Sequence, residues 1–317
     1  GFEQFENSEE KGLVPNLTTF SKRRIHTVAP TTTATALTSL TTGKSPGEHG
    51  VVGYKIRTGN QILNALRWTT GHGSAVNEIN PASFQPVEPF FGSAPPIVSP
   101  AQFHESGFSS AHLRGGDYLG YWLPSSMPVL INDSLNSGAN FVYSYYDGLD
   151  KVGHIHGIND FYDAEVRFID DLVGKILACV PNGTALIVTA DHGLVDVDDS
   201  LVTLETAATD LATALSGEAR FLWFHSKRGA EAELVEILEQ LYSQNGWIRT
   251  RDQVLDEGWF GKQVSTIANS RLGDVALVAR NPVAFVPAGK EGPKLKARHG
   301  SLTPAESYVP LMTMLKA

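Results

Sequence analysis

Two short apolar segments flank one long amphipathic stretch near the middle of the chain, and this alternation restricts the fold more than any other feature. "ANFVYSYY" is dense in aromatic and β-branched residues, runs into Asp147-Gly148 and reads as a strand. "DFYDAEVRFIDDLVGKILACV" follows, with Phe161, Phe168, Ile169, Leu172, Val173, Ile176 and Leu177 spaced to share one helical face. Pro181-Asn182-Gly183 supplies a turn, and "TALIVTA" is an apolar run suited to a buried parallel strand. Strand, helix and strand in that order imply a βαβ unit. The expected fold is therefore α/β, with a mostly parallel central sheet flanked by helices on both faces.

In such sheets, ligands bind beyond the carboxyl ends of the strands. Asp150 follows one expected strand and Asp191 ends the next, so both point to one edge. Asp150 and His154 lie in "YYDGLDKVGH", Asp191 and His192 in "VTADHG", and His299 in "ARHGSLTPAE". These residue types suit zinc in a hydrolytic centre, and their dispersal is what a site assembled by a folded sheet requires. Gly153 and the preceding strand predict a loop, rather than a helix, between Asp150 and His154. Asp147 is a rival ligand, and an ordinary surface turn would also explain this spacing. A nucleophile is available in "APTTTATALTSLTTG", where Thr33 opens a helix that stops at Gly43. A hydroxyl there sits among free backbone N–H groups able to bind a phosphoryl oxygen. Threonines in this position also serve as plain N-caps.

The 317 residues allow one large domain with inserts. Residues 68–125, rich in Gly, Pro and Ser, read as an irregular cap-like insert. Residues 200–260, with "AEAELVEILEQLY" between "RFLWFH" and "GWIRT", read as a small subdomain. The net charge of −9 argues against a surface that coats nucleic acid, although metal ions could still reverse the field around a small phosphorylated substrate. The single cysteine, Cys179, excludes an intrachain disulfide and a cysteine-cluster metal site, and its place after an apolar stripe predicts a buried packing residue. No apolar run is long enough to predict a spanning helix. The lack of a signal segment or disulfide weighs slightly toward a cytoplasmic over an exported protein.

Taken together and in this order, the motifs resemble the type I phosphodiesterase/nucleotide pyrophosphatase branch of the alkaline-phosphatase superfamily. "PTTTATALTSLTTGKSPGEHGVVGY" is similar to that family's nucleophile segment, and its distance to the "TG" pair selects Thr33. "DKVGHIHG" resembles the family's Asp-x-x-Gly-His element, which selects Asp150 over Asp147, while "ADHG" and "RHGSLTP" complete the pattern. The likeness spans about Pro15 to Pro310. It implies a single alkaline-phosphatase-like catalytic domain holding two divalent metal ions, zinc by ligand type. Asp150, His154 and His299 would hold one ion. Asp191 and His192 would hold the other, with a third carboxylate from an Asp-Gly that ends the family's first strand. The implied substrate is a small phosphorylated molecule, a nucleotide among them, cleaved through a phosphothreonine intermediate. The chain opens at Gly1-Phe2, about where the family sequence has just passed that Asp-Gly, so a missing first strand is expected. Ala34 stands where nucleotide-cleaving members have a base-stacking phenylalanine, and Tyr54 where they have a phosphoryl-contacting asparagine. A phosphomonoesterase, a phosphonate hydrolase or a catalytically silent metal-binding homologue are the alternatives these departures raise.

Overall fold

In the computed structural model, which describes residues 1–289 and 294–317, the long helix forms over Asp160–Cys179. Asn159 caps it, its side-chain oxygen accepting from the Phe161 amide at 3.0 Å. The buried face carries Tyr162, Val166, Leu172, Val173 and Ile176, so the apolar stripe is shifted from the one expected. Phe161 is 60% exposed and stacks on His156, and Phe168 turns outward against Tyr146. Their rings find partners on the flanking helix and loop, not in the core. Each aliphatic side chain the helix does bury is worth about 1.5–3 kcal/mol. Asp170, the one carboxylate on the buried face, accepts from the Asn16 and Leu17 backbone amides at 3.1 and 2.8 Å. It thereby fastens the N-terminal segment to the helix. Cys179 is free and exposed, contrary to expectation, because it lies past the last buried turn.

The sheets differ from expectation. The Ala185–Thr189 strand does not pair with the strand before the long helix. It lies antiparallel beside Tyr308–Leu315, which in turn pairs antiparallel with Ser21–His26. The preceding strand, shortened to Tyr143–Ser144, pairs in parallel with Pro96–Pro100, and that strand pairs in parallel with Asp117–Tyr121. The helix thus covers two different small sheets: Val166 and Val173 pack with Val188 and Met312, while Leu172 and Ile176 pack with Val98 and Tyr121. Among the described residues no mostly parallel central sheet is found, and most of the pairing is antiparallel. Ala185–Thr189 stands at the edge of its three-stranded sheet, and its one partner there, the C-terminal strand, runs antiparallel to it.

Within 68–125, the parallel strands Pro96–Pro100 and Asp117–Tyr121 are accompanied by the helix Gly107–His112 and a fully buried Trp68. Residues 200–260 supply Ala212–Glu218, Phe221–Ser226 and Gly246–Thr250. With Val275–Ala279 these form a four-stranded antiparallel sheet. Apolar clusters cover both of its faces: Phe221 and Trp223 pack on one, Leu222 and Phe224 on the other, as strand alternation dictates. Arg220, at the hairpin turn, is fully buried. It meets Glu306 through two parallel bonds of 2.8 and 2.7 Å, joining this sheet to the C-terminal segment.

Candidate metal centre

Asp150 and His154 lie on a helix, Gly148–His156, and not in the expected loop. Gly153 is tolerated there because the turn packs directly on another segment: a Cβ at Gly153 would come within 2.4 Å of Leu194 Cδ1. The helix sets the two side chains one turn apart on the same face, with His154 Nε2 3.3 Å from Asp150 Oδ2. His299 arrives from the far end of the chain, its Nε2 3.9 Å from Asp150 Oδ1. The donor atoms of Asp150, His154 and His299 all lie within 4.8 Å of one another, the span that one bound cation requires. Asp150 Oδ1 is buried and accepts no hydrogen bond among the described residues. A buried carboxylate oxygen without a donor is costly unless a cation satisfies it. The donor set therefore fits a divalent metal.

The tautomers support the same arrangement. His154 Nδ1 lies 2.8 Å from the Ala297 carbonyl, His299 Nδ1 2.9 Å from the Thr31 carbonyl, and His192 Nδ1 3.0 Å from the Gly193 carbonyl. A carbonyl oxygen can only accept, so all three rings carry a proton on Nδ1. Nε2 of each faces inward, and it is a lone-pair donor on His192 and His299, while on His154 the proton shared with Asp150 would leave when a cation binds; the Nδ1 bonds are the outer hydrogen bonds that metal-binding imidazoles characteristically make. His192 and His299 stack, with ring centroids 3.8 Å apart.

The electrostatics follow from burial and neighbours. Burial would raise the Asp150 carboxyl, but the His154 hydrogen bond and the nearby His299 and His192 outweigh it and hold the group well below the usual carboxylate range. Burial lowers His154, yet its bond to Asp150 prevails and the imidazole ends above its ordinary value. His299 is driven well below its ordinary value by burial and then by His192, which favours the neutral imidazole.

Asp191 and His192 form a second pair, with Asp191 Oδ2 3.5 Å from His192 Nε2. The Thr33 hydroxyl lies 3.1 Å from that same Nε2 and can donate to it. Among the described residues no third carboxylate joins this pair. Thr33 is the first residue of the helix Thr33–Thr42, so unpaired backbone amides surround its hydroxyl. Thr32 holds the N-cap position, but its side chain makes no cap bond and acts instead on the Glu218 carboxyl. The plain N-cap reading of these threonines therefore fails. Thr31 instead stitches the site together, its hydroxyl donating to the Ser301 carbonyl at 2.7 Å and accepting from the Gly300 amide at 3.0 Å.

All six site residues read from the sequence thus lie in one connected region. Sequence reasoning passed over Glu218, at the end of the Ala212–Glu218 strand, which places Oε2 3.5 Å from His299 Nδ1. No motif or spacing marks it. Burial pushes this carboxyl up to about 8, Glu306 and Asp150 adding to the shift while Thr32 and Arg220 oppose it. Tyr54 accepts from Asn64 Nδ2 at 2.7 Å, and Ala34 is completely buried.

The profile of the type I phosphodiesterase/nucleotide pyrophosphatase family matches residues 5–129 and 122–302. The chain belongs to that family. Its members are metal-dependent phosphoric-ester hydrolases, and this chain is an enzyme of that type. No curated protein matches it in sequence. Among solved structures it is similar to phosphonoacetate hydrolase from Sinorhizobium meliloti 1021 in complex with phosphonoformate. That likeness has a TM-score of 0.74 at 14% identity, covering 98% of this chain and 86% of the other. An inactive threonine-to-alanine variant of murine ectonucleotide pyrophosphatase/phosphodiesterase 5, in complex with AMP, is similar with a TM-score of 0.74 at 15% identity, covering 96% and 84%. The human counterpart reaches 0.69 at 18% identity, covering 92% and 78%. At these identities the likeness establishes the fold alone. No helix among the described residues is long and apolar enough to cross a membrane.

Proposed function

We propose that this chain cleaves phosphodiester or nucleotide pyrophosphate bonds, with Thr33 as the nucleophile and two zinc ions as cofactors. The observation that carries the reading is the convergence of three Nδ1-anchored imidazoles and the unpartnered Asp150 oxygen beside the Thr33 hydroxyl. Asp150, His154 and His299 would hold one ion, Asp191 and His192 the other. When bound, the ions supply Lewis acidity to the attacking and departing oxygens. The chain's own part begins with Thr33, whose hydroxyl lies 3.1 Å from His192 Nε2 in the metal-free chain and so would sit beside the ion that this nitrogen would hold. The amides at the start of the Thr33–Thr42 helix then face the non-bridging phosphoryl oxygens. The Thr33 hydroxyl gives its proton to solvent water, and Thr33 Oγ forms a bond to phosphorus as the ester oxygen leaves with its electron pair and takes a proton from water. Water later attacks the resulting phosphothreonine, and Thr33 departs with a proton restored. The murine relative whose threonine-to-alanine variant is described as inactive, and which holds AMP, supports both the nucleophile and the substrate class.

The likeness to a phosphonoacetate hydrolase, with Ala34 buried beside the nucleophile, favours phosphonate hydrolysis as the second reading. Rates on bis-p-nitrophenyl phosphate, p-nitrophenyl phosphate and phosphonoacetate, each with and without zinc, separate the two. Zinc-dependent cleavage that prefers the diester supports the first. Release of phosphate from phosphonoacetate with little diester turnover replaces it with the second.

A further inference from the structure

We propose that Glu218 is a positioning residue of the metal centre, holding the His299 ring at the angle that aims Nε2 toward Asp150 and His154. The inference rests on the metal reading above and names a residue outside the ligand set. His299 Nδ1 has two oxygen neighbours, the Thr31 carbonyl at 2.9 Å and Glu218 Oε2 at 3.5 Å. The carbonyl fixes the tautomer. A single hydrogen bond still leaves the ring free to swing about it, and a second acceptor on the same edge restricts that swing.

Two independent observations show that the carboxylate is built into this place. Gly300 has φ +124, and a Cβ there would lie 2.7 Å from Glu218 Cδ and 2.8 Å from Cγ. The residue after the histidine must therefore be glycine, because the Glu218 side chain lies flat against its backbone. Glu218 Oε1 is also buried, with the Thr32 hydroxyl as a neighbour that favours the charged carboxylate. A carboxylate that served only packing would be replaced at lower cost by an apolar residue of its length. Arg220 and Arg298 lie in its field as well, but His299 Nδ1 is the candidate-ligand atom its oxygen approaches.

The test is zinc affinity of the chain, measured by competition with a chromophoric chelator, for the parent, Glu218→Gln and Glu218→Met. Cobalt-substituted spectra report ligand geometry independently of turnover. Gln keeps an acceptor oxygen and the shape; Met keeps only the shape. The expected result is that Gln stays within about threefold of the parent while Met binds about 10–100-fold more weakly, with an altered cobalt spectrum. Met within threefold of the parent, or Gln and Met falling alike, overturns the role. A parent chain that binds no zinc overturns the metal reading itself, so the two failures are distinguishable. Because Gln preserves the packing on Gly300, misfolding of the Met variant alone does not imitate the expected pattern if metal-free unfolding midpoints are compared alongside.

Discussion

Acid should destabilise this protein through a histidine remote from the metal centre. His49 is completely buried, its Nδ1 accepting from the Val51 amide at 3.1 Å and its Nε2 lying 2.9 Å from Ser39 Oγ. With an N–H already aimed at Nδ1, a second ring proton has nowhere to go. Burial pushes the imidazole from 6.5 down to about 3, Glu48 opposing and Arg271 assisting the shift. Between those values the unfolded chain binds a proton that the folded chain refuses, so stability rises with pH across this window. The contribution is complete above 6.5 and is lost as pH falls toward 3. At pH 5 the loss is about 2 kcal/mol, at about 1.4 kcal/mol per unit, a substantial share of a marginal total of about 5–15 kcal/mol. Urea unfolding of metal-free protein at several values from pH 8 to pH 5 measures it, comparing the parent with His49→Asn. Asparagine can still accept from the Val51 amide two residues on but does not titrate. The variant should start less stable and then lose about 2 kcal/mol less than the parent over that range. Parallel pH profiles for the two proteins would show that His49 is not held neutral.

Thr33→Ala should leave zinc content unchanged while lowering diester turnover by about 10³-fold or more; activity near the parent's would remove Thr33 from the mechanism. His299→Ala takes one donor from the three-residue set and should cut zinc occupancy at a fixed chelator concentration, so undiminished occupancy would exclude it as a ligand. Glu306→Ala strands the fully buried Arg220 and frees the Ser301 amide, which donates to Glu306 Oε1 at 3.0 Å. It should cost about 3–5 kcal/mol in urea unfolding, and a loss below about 1 kcal/mol would mean the buried pair contributes little.

Features decided within a few residues were legible in the sequence. The Thr33–Thr42 helix ends at Gly43 in the left-handed conformation expected of a C-terminal stop, and Asp160–Cys179 is the helix its apolar spacing predicts, although its buried stripe leaves out Phe161 and Phe168. The candidate ligands could be named from the sequence because Asp and His beside strand ends have few structural uses. Strand partners were not, because pairing is a long-range choice. Nothing local to "TALIVTA" reveals that residues 308–315 will lie beside it. The helix at Asp150 was missed for a related reason, since the Leu194 contact that makes a glycine acceptable there comes from 41 positions away. Glu218 carried no signal because its relation to His299 exists only once two distant segments meet.

The hydrogen bond from His299 to the Thr31 carbonyl closes a loop of 268 residues, and strand Tyr308–Leu315 lies between two strands made far earlier. Contacts of such sequence separation form late and slowly. A ribosome exposes Thr33, Asp150 and His192 well before His299, so the candidate centre cannot assemble until the segment around residues 299–315 has emerged and docked.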